Sequence, residues 1–259
     1  MKPNKLRQLL NDDKPTIGTR MYSSWPTLIE LVGGTGHFDY VEFVSEYSPF
    51  DLYDLDNLSR AAEVADISMM IKVEQEPRGY LGGRAIGSGF ESILFSDCRS
   101  AAEARETVAL ARPDTPEDKG TFGAVARRFT AGAYGGDLSY AQAVRDVVVA
   151  LMIEKGGAVE ELDEILAIPG LDMIQWGPSD YGMNTGKGGT PGVEEARVHV
   201  YKTALESDVI PRAEISTADG AKRWLDMGVR HFCMAPEVSI LQQWWSSNGD
   251  EMRQALEGK

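Results

Sequence analysis

The chain reads as an α/β protein folded as one closed, parallel eight-stranded barrel, and three observations predict it. Eight short apolar runs recur along 259 residues, at 16–21, 40–44, 68–73, 92–96, 148–153, 173–176, 212–215 and 231–234. Amphipathic stretches separate them, among them 55–65, 101–111, 158–167 and 218–227. Regular alternation of buried strands with helices builds parallel βα units. Eight such units in about 250 residues fit a closed (β/α)8, or TIM, barrel better than an open sheet.

The elements support this one by one. Over 157–168, apolar residues fall at 158, 159, 162, 165, 166 and 168 while acids fill the other face, as a helix packed on a sheet requires. Asp226-Met227-Gly228-Val229 puts a glycine where a helix needs a left-handed cap, just before an apolar strand. Pro169-Gly170 is another helix stop. Residues 112–147 break the rhythm: Pro113, Pro116 and Lys119-Gly120 predict an exposed loop, and Arg127-Arg128 with Tyr134-Gly135-Gly136 a second. An excursion of this size between barrel strands is a lid or subunit contact more often than a domain, so the whole chain, 1–259, is read as a single domain. Gly82-Gly83, Gly87-Ser88-Gly89 and Gly186 to Gly189 fit no nucleotide-binding fingerprint and read as turns and mobile rims, with 180–192 a lid. Ile240 to Trp245 is very apolar for a final helix, so Trp244 and Trp245 either pack on the barrel or meet a neighbouring subunit.

Composition bounds the function. Lys and Arg number 26 and Asp and Glu 40, a formal charge of −14, which argues against a general nucleic-acid binder. His37, His199 and His231 are too scattered for a histidine-rich metal site. Cys98 and Cys233 sit in or beside apolar runs and read as buried reduced thiols. The opening residues lack the apolar stretch of a signal peptide, and no apolar run nears the roughly 20 residues of a membrane helix. A soluble, cytoplasmic protein is the expectation.

Two strand ends carry candidate chemistry. Val148-Val149-Ala150-Leu151-Met152-Ile153 fills a strand, so Glu154 emerges at the carboxyl-terminal rim, where barrel enzymes place their active sites. Met173-Ile174-Gln175-Trp176 runs into Gly177-Pro178, which puts Asp180 in the following loop on the same rim. Two carboxylates completed by water and substrate oxygens suit a divalent cation such as Mg²⁺ or Mn²⁺. The competing reading is a helix N-cap for Asp180 and a surface charge for Glu154.

The stretch from Glu154 through Gly186 resembles the HpcH/HpaI aldolase family of metal-dependent pyruvate aldolases. The resemblance rests on Met152-Ile153-Glu154, the helix Ala158 to Ala167 and Gly177-Pro178-Ser179-Asp180, with further likeness at Ile17-Gly18-Thr19, Phe38-Asp39-Tyr40-Val41 and Leu225 to Arg230. It implies that Glu154 and Asp180 ligate Mg²⁺, Mn²⁺ or Co²⁺. It also implies that the Ser179 and Asp180 amides hold a pyruvate-like carboxylate. The substrates would be a 2-oxo acid and an aldehyde, and the assembly a homo-oligomer, a trimer or hexamer, with no nucleic-acid or membrane partner.

The chain also departs from that pattern. Where the family has Asp-Gly-Glu-His after its second strand, this sequence has Val44-Ser45-Glu46-Tyr47, so Tyr47 stands at the histidine position and Val44 at the aspartate. Lys72 replaces the arginine that ends the third strand, Met152 a glutamine beside the metal ligand, and Arg20 an apolar or aromatic residue. The candidate catalytic groups are therefore Glu46 and Tyr47, to move the proton, and Lys72, to supply positive charge, and the candidate substrate-binding groups are Arg20, Lys72, Ser179 and Asp180. The alternative for Arg20 and Lys72 is an internal ion pair with Glu42, Glu74 or Glu214. Arg78, Arg127 and Arg128 read as solvated surface. Two rival functions stay open: a lyase forming a Schiff base on Lys72 or Lys155, and a non-catalytic, metal-dependent binder of an acidic metabolite.

Overall fold

The computed structural model describes residues 4–123 and 138–258. Helix α1 (Lys5–Asn11) precedes β1 (Thr16–Met21), followed by α2 (Pro26–Gly34), β2 (Tyr40–Val44), α3 (Leu52–Ala65), β3 (Ser68–Val73), α4 (Arg78–Ser88), β4 (Ser92–Phe95) and α5 (Ala101–Ala109). The second half holds α6 (Leu138–Arg145), β5 (Val148–Ile153), α7 (Gly156–Glu160), α8 (Leu162–Leu166), β6 (Met173–Trp176), α9 (Pro178–Thr185), α10 (Pro191–Leu205), β7 (Ile210–Glu214), α11 (Ala218–Met227), β8 (His231–Pro236) and α12 (Glu237–Leu256). The strands pair in order and in parallel, and β1 pairs with β8, which closes the barrel.

The two-residue strand period divides the core into two. Outward residues such as Val41, Ile71, Ile93 and Ile174 pack with the helices. Inward residues Tyr40, Met70, Leu94, Ala150, Met152, Met173 and Cys233 fill the barrel, and Leu6 of α1 joins them. Helix α1 closes the amino-terminal mouth: Asn4 donates to Glu91 and Asp146 carbonyls, and Ser68 Oγ accepts the Leu6 amide. Two strand positions on, the inward places turn polar: Glu42 follows Tyr40, Lys72 follows Met70 and Gln175 follows Met173. The upper barrel thus presents charge where its floor presents hydrocarbon.

Several expectations need correction. The strand expected at 212–215 starts at Ile210, whose amide bonds Asp172 O, so Arg212 lies inside the strand rather than at its start. The single helix expected over 158–167 is two, α7 and α8, broken at Glu161, whose carboxylate accepts the Ala101 amide at 2.6 Å. Gly82, Gly83 and Gly87 are not turns but part of α4; a Cβ on Gly82 would lie 2.8 Å from Ile93 Cδ1, so glycine permits the close approach of helix to strand. Arg78 is buried rather than solvated, donating to Gln75 O, Thr107 Oγ1 and Glu103. Most of the expected lid is helix, with 186–190 alone linking α9 to α10. Arg127, Arg128 and Tyr134 to Gly136 lie outside the described residues.

Both cysteines are buried. Among the described residues no helix is long and apolar enough to cross a membrane. Helix α12 has no buried residue, and Trp244 and Trp245 are 61% and 62% exposed, which rules out their packing on the barrel.

At the amino-terminal end of β8, His231 is buried with its Nδ1 3.0 Å from Thr16 Oγ1. Burial and the neighbouring Arg230, against a weaker pull from Asp13, push its pKa down to about 4. A depressed folded pKa gives stability that is present above the unfolded value near 6.5 and lost as pH falls toward 4. His231→Gln should therefore lose about 3 kcal/mol less than wild type between pH 7 and pH 4. Urea unfolding across that range checks this, and parallel pH profiles would contradict it.

Candidate active site

The polar residues at the carboxyl end of the barrel form three linked groups. The first crosses the barrel below the rim. Arg212 of β7, fully buried, pairs with Glu42 of β2 and donates to Gln175 Oε1 at 2.6 Å and Tyr40 OH at 3.3 Å. Gln175 passes the chain on to Glu214, which pairs with Arg20 of β1 at 2.8 Å. The internal ion pair considered for Arg20 is thus formed, with Glu214.

The second group lies where β2 and β3 end. A 3₁₀ turn, Ser45–Tyr47, follows β2, and Ser45 Oγ donates to Lys72 O at 2.6 Å, fixing the turn to β3. Glu46 Oε2 lies 2.5 Å from Lys72 Nζ, and Ser96 Oγ lies 2.8 Å from Glu46 Oε1 and 2.9 Å from Val73 O. Burial opposes the charge on Lys72, but Glu46 outweighs it, so the lysine pKa is raised and the side chain stays an ammonium. The Tyr47 ring sits 5.5 Å from that ammonium and 5.5 Å edge-on from Tyr22. Lys72 pulls the Tyr47 pKa down, but burial and the charges of Glu46 and Asp180 win and raise it. Tyr47 is therefore a proton donor at neutral pH, as its chemistry predicts. The Tyr22 and Ser23 amides both donate to Glu237, which ties the β1 loop to the start of α12.

The third group contains the predicted metal ligands. Glu154, at the end of β5, is 2% exposed, and Oε1 accepts the Asp97 amide at 2.7 Å. Burial pushes its pKa up to about 7, aided by Asp180 and Asp97 and opposed by the Asp97 amide and Lys72. Asp180 is not in a loop, as the sequence reading had it, but in the first turn of α9, with Pro178 opening the helix. Lys155 is buried between Asp97 and Asp180, 3.1 Å from Asp180 Oδ1. Gly177 gives Glu154 its room, since a Cβ there would lie 2.4 Å from Glu154 Oε2. Gly177→Ala should lower kcat/KM on the order of 100-fold by moving that carboxylate, and steady-state assay would show it.

The donor set fits a hard divalent cation. Glu154 is a buried carboxylate whose charge the protein leaves poorly compensated, and Asp180 stands in the same field. Among the described residues no three His, Cys, Asp or Glu side chains converge, so a cation here would complete its shell with water and substrate oxygens. The sequence reading missed Ser96, Asp97 and Arg212, and named Glu42 only as a possible partner of Arg20 or Lys72. Glu42 and Arg212 do carry a signal, a charge at an inward position of an otherwise apolar strand.

A closed barrel with its charged residues gathered at the carboxyl end of the strands defines the class of barrel enzymes. The sequence profile of the HpcH/HpaI aldolase/citrate lyase family matches residues 22–225. The chain belongs to that family and is a lyase of aldolase type. Similar proteins include the 2-dehydro-3,6-dideoxy-6-sulfogluconate aldolase of Pseudomonas putida, 25% identical over 97% of this chain and 96% of the relative. The 4-hydroxy-2-oxo-heptane-1,7-dioate aldolase of Escherichia coli is 25% identical over 92% of this chain and 90% of its own. A HpcH/HpaI family protein from Burkholderia cenocepacia J2315 superposes with a TM-score of 0.85 at 27% identity, covering 96% of this chain and 99% of that one.

Proposed function

We propose that the enzyme makes or breaks a carbon–carbon bond next to a 2-oxo acid, with Glu154 and Asp180 holding a divalent cation. The observation that carries this reading is the buried Glu154 carboxylate at the end of β5, in the field of Asp180 and beside the Lys72–Glu46 pair. When bound, Mg²⁺, Mn²⁺ or Co²⁺ would supply the positive charge that stabilises an enolate developing on the substrate.

The chain's own groups do the rest. The Ser179 and Asp180 amides lie in the first turn of α9, where no carbonyl of the helix lies four residues back, so they are free to bind the substrate carboxylate. Lys72 places an ammonium at the developing oxyanion. Glu46, held between Lys72 and Ser96, takes and returns the substrate proton, and Tyr47 donates to the oxygen of the aldehyde partner. Arg20 keeps one flank of the mouth positive, although Glu214 shares its charge. The bare apolar face of α12 supports self-association into a homo-oligomer.

The test is exchange of the methyl protons of pyruvate for deuterium in D₂O, followed by proton NMR with Mg²⁺, Mn²⁺ or Co²⁺ added. Metal-dependent exchange is expected. Its absence from protein that binds the metal would count against enolate chemistry. A Schiff base on Lys72 is disfavoured because Glu46 keeps that lysine protonated, and a protonated amine is no nucleophile. Borohydride should leave no adduct on it.

A further inference from the structure

The lysine that follows Glu154 raises a problem of competition. Lys155 is a buried cation 3.1 Å from Asp180 Oδ1, one of the two carboxylates assigned to the metal. An ammonium paired there alone would occupy the charge the metal needs. It is not paired there alone: its closest partner is Asp97, which is 23% exposed to the 39% of Asp180. Asp97 reaches this place by adopting φ +62, a left-handed conformation uncommon for residues other than glycine. The same turn aims its amide at Glu154 Oε1. One strained residue at the end of β4 therefore touches both halves of the metal site, one through its amide and the other through Lys155.

We propose that Asp97 is a positioning residue for the metal site: its carboxylate draws the Lys155 ammonium away from Asp180 and so leaves Asp180 available to a divalent cation. This rests on the reading of Glu154 and Asp180 as metal ligands. Without the Asp97 charge, Asp180 is the one carboxylate among the described residues left to pair with Lys155, and lysine and metal compete for it. Partners of this outer kind are worth roughly 10- to 100-fold in metal affinity.

The experiment is Mn²⁺ binding by calorimetry, with free Mn²⁺ followed by electron paramagnetic resonance, on wild type, Asp97→Asn, Lys155→Met and the double variant. Asparagine tolerates the left-handed backbone well, so Asp97→Asn keeps the turn and the amide bond to Glu154. Asp97→Asn should bind Mn²⁺ roughly 10- to 100-fold more weakly than wild type. Lys155→Met should bind at least as tightly as wild type, and adding it to Asp97→Asn should restore the affinity. Rescue separates competition by Lys155 from general damage to the fold, which a second substitution would not repair. Unchanged affinity in Asp97→Asn, or no rescue in the double variant, overturns the proposal. If wild type itself binds no Mn²⁺, the metal reading fails and this inference falls with it.

Discussion

Replacing Glu154 with glutamine should abolish lyase turnover, by at least about 1,000-fold, and yet leave the metal-free protein at pH 8 as stable as wild type or more so. The two halves of that expectation come from one cause. Glu154 is a buried carboxylate with a pKa near 7, so at pH 8 the folded protein holds a charge that its surroundings disfavour. A folded carboxyl raised in this way contributes stability that is complete below the unfolded pKa of about 4.3 and is lost as pH climbs through the folded value. At pH 8 none of it remains, a difference of about 3 kcal/mol from the acid side. Glutamine keeps the shape, can still accept the Asp97 amide, and carries no charge to desolvate. The metal-free variant should therefore melt several degrees above wild type at pH 8, and the gap should close near pH 4. Added Mn²⁺ should raise the melting temperature of wild type and leave that of Glu154→Gln unmoved. A variant that melts lower at pH 8, or that keeps its turnover, contradicts this account of the site. Where a site stores unfavourable charge for its function, stability is gained by removing it.

Arg212→Met carries the second large effect, and it acts on folding. Arg212 and Glu42 are both fully buried, and Glu42 Oε1 already has no hydrogen-bond partner among the described residues. Removing the guanidinium leaves the buried Glu42 charge without its ion-pair partner, which costs about 3–5 kcal/mol. For a chain of this length that lowers the melting temperature by roughly 10 °C. Substituting both residues with methionine should cost less than Arg212→Met alone, because no orphaned charge remains. Thermal denaturation of the two single variants and the double variant measures the coupling; strictly additive costs would show that the pair does not act as a unit.

The barrel was legible in the sequence because buried parallel strands are nearly all apolar, and seven of the eight runs lie where expected, apart from small shifts at their ends. The run expected at 212–215 overlaps β7 but starts two residues late, because Pro211 cannot donate to a ladder and sits near the strand's start. Helix α4 was hidden by its glycines, which suggest turns by composition but here allow helix and strand to touch. Among the candidate site residues, Glu154 is conspicuous in the sequence as a charge closing an apolar run and Asp180 as an acid after a Gly-Pro turn, whereas Glu46 and Lys72 stand out only against the family pattern. Asp97 and Ser96 were not. Ser96 reads as the last residue of an apolar run and Asp97 as the first residue past it, and their contacts with Glu46 and Glu154 appear only once the barrel brings β4 between β3 and β5.

The charged chain across the upper barrel also bears on how the molecule can assemble. Glu42 meets Arg212 across 170 residues of sequence, and Arg20 meets Glu214 across the seam that joins the first strands to the last. Contacts so distant form late, after most of the loop-closure entropy has been lost. Until then, a half of β1 to β4 sets Glu42 beside its strand neighbour Arg20, and a half of β5 to β8 holds Arg212 linked to Glu214 through Gln175, so neither charge has the partner it takes in the closed ring. Closure of the ring is thus what gives Arg20 and Glu42 their ion-pair partners from the opposite half, Glu214 and Arg212.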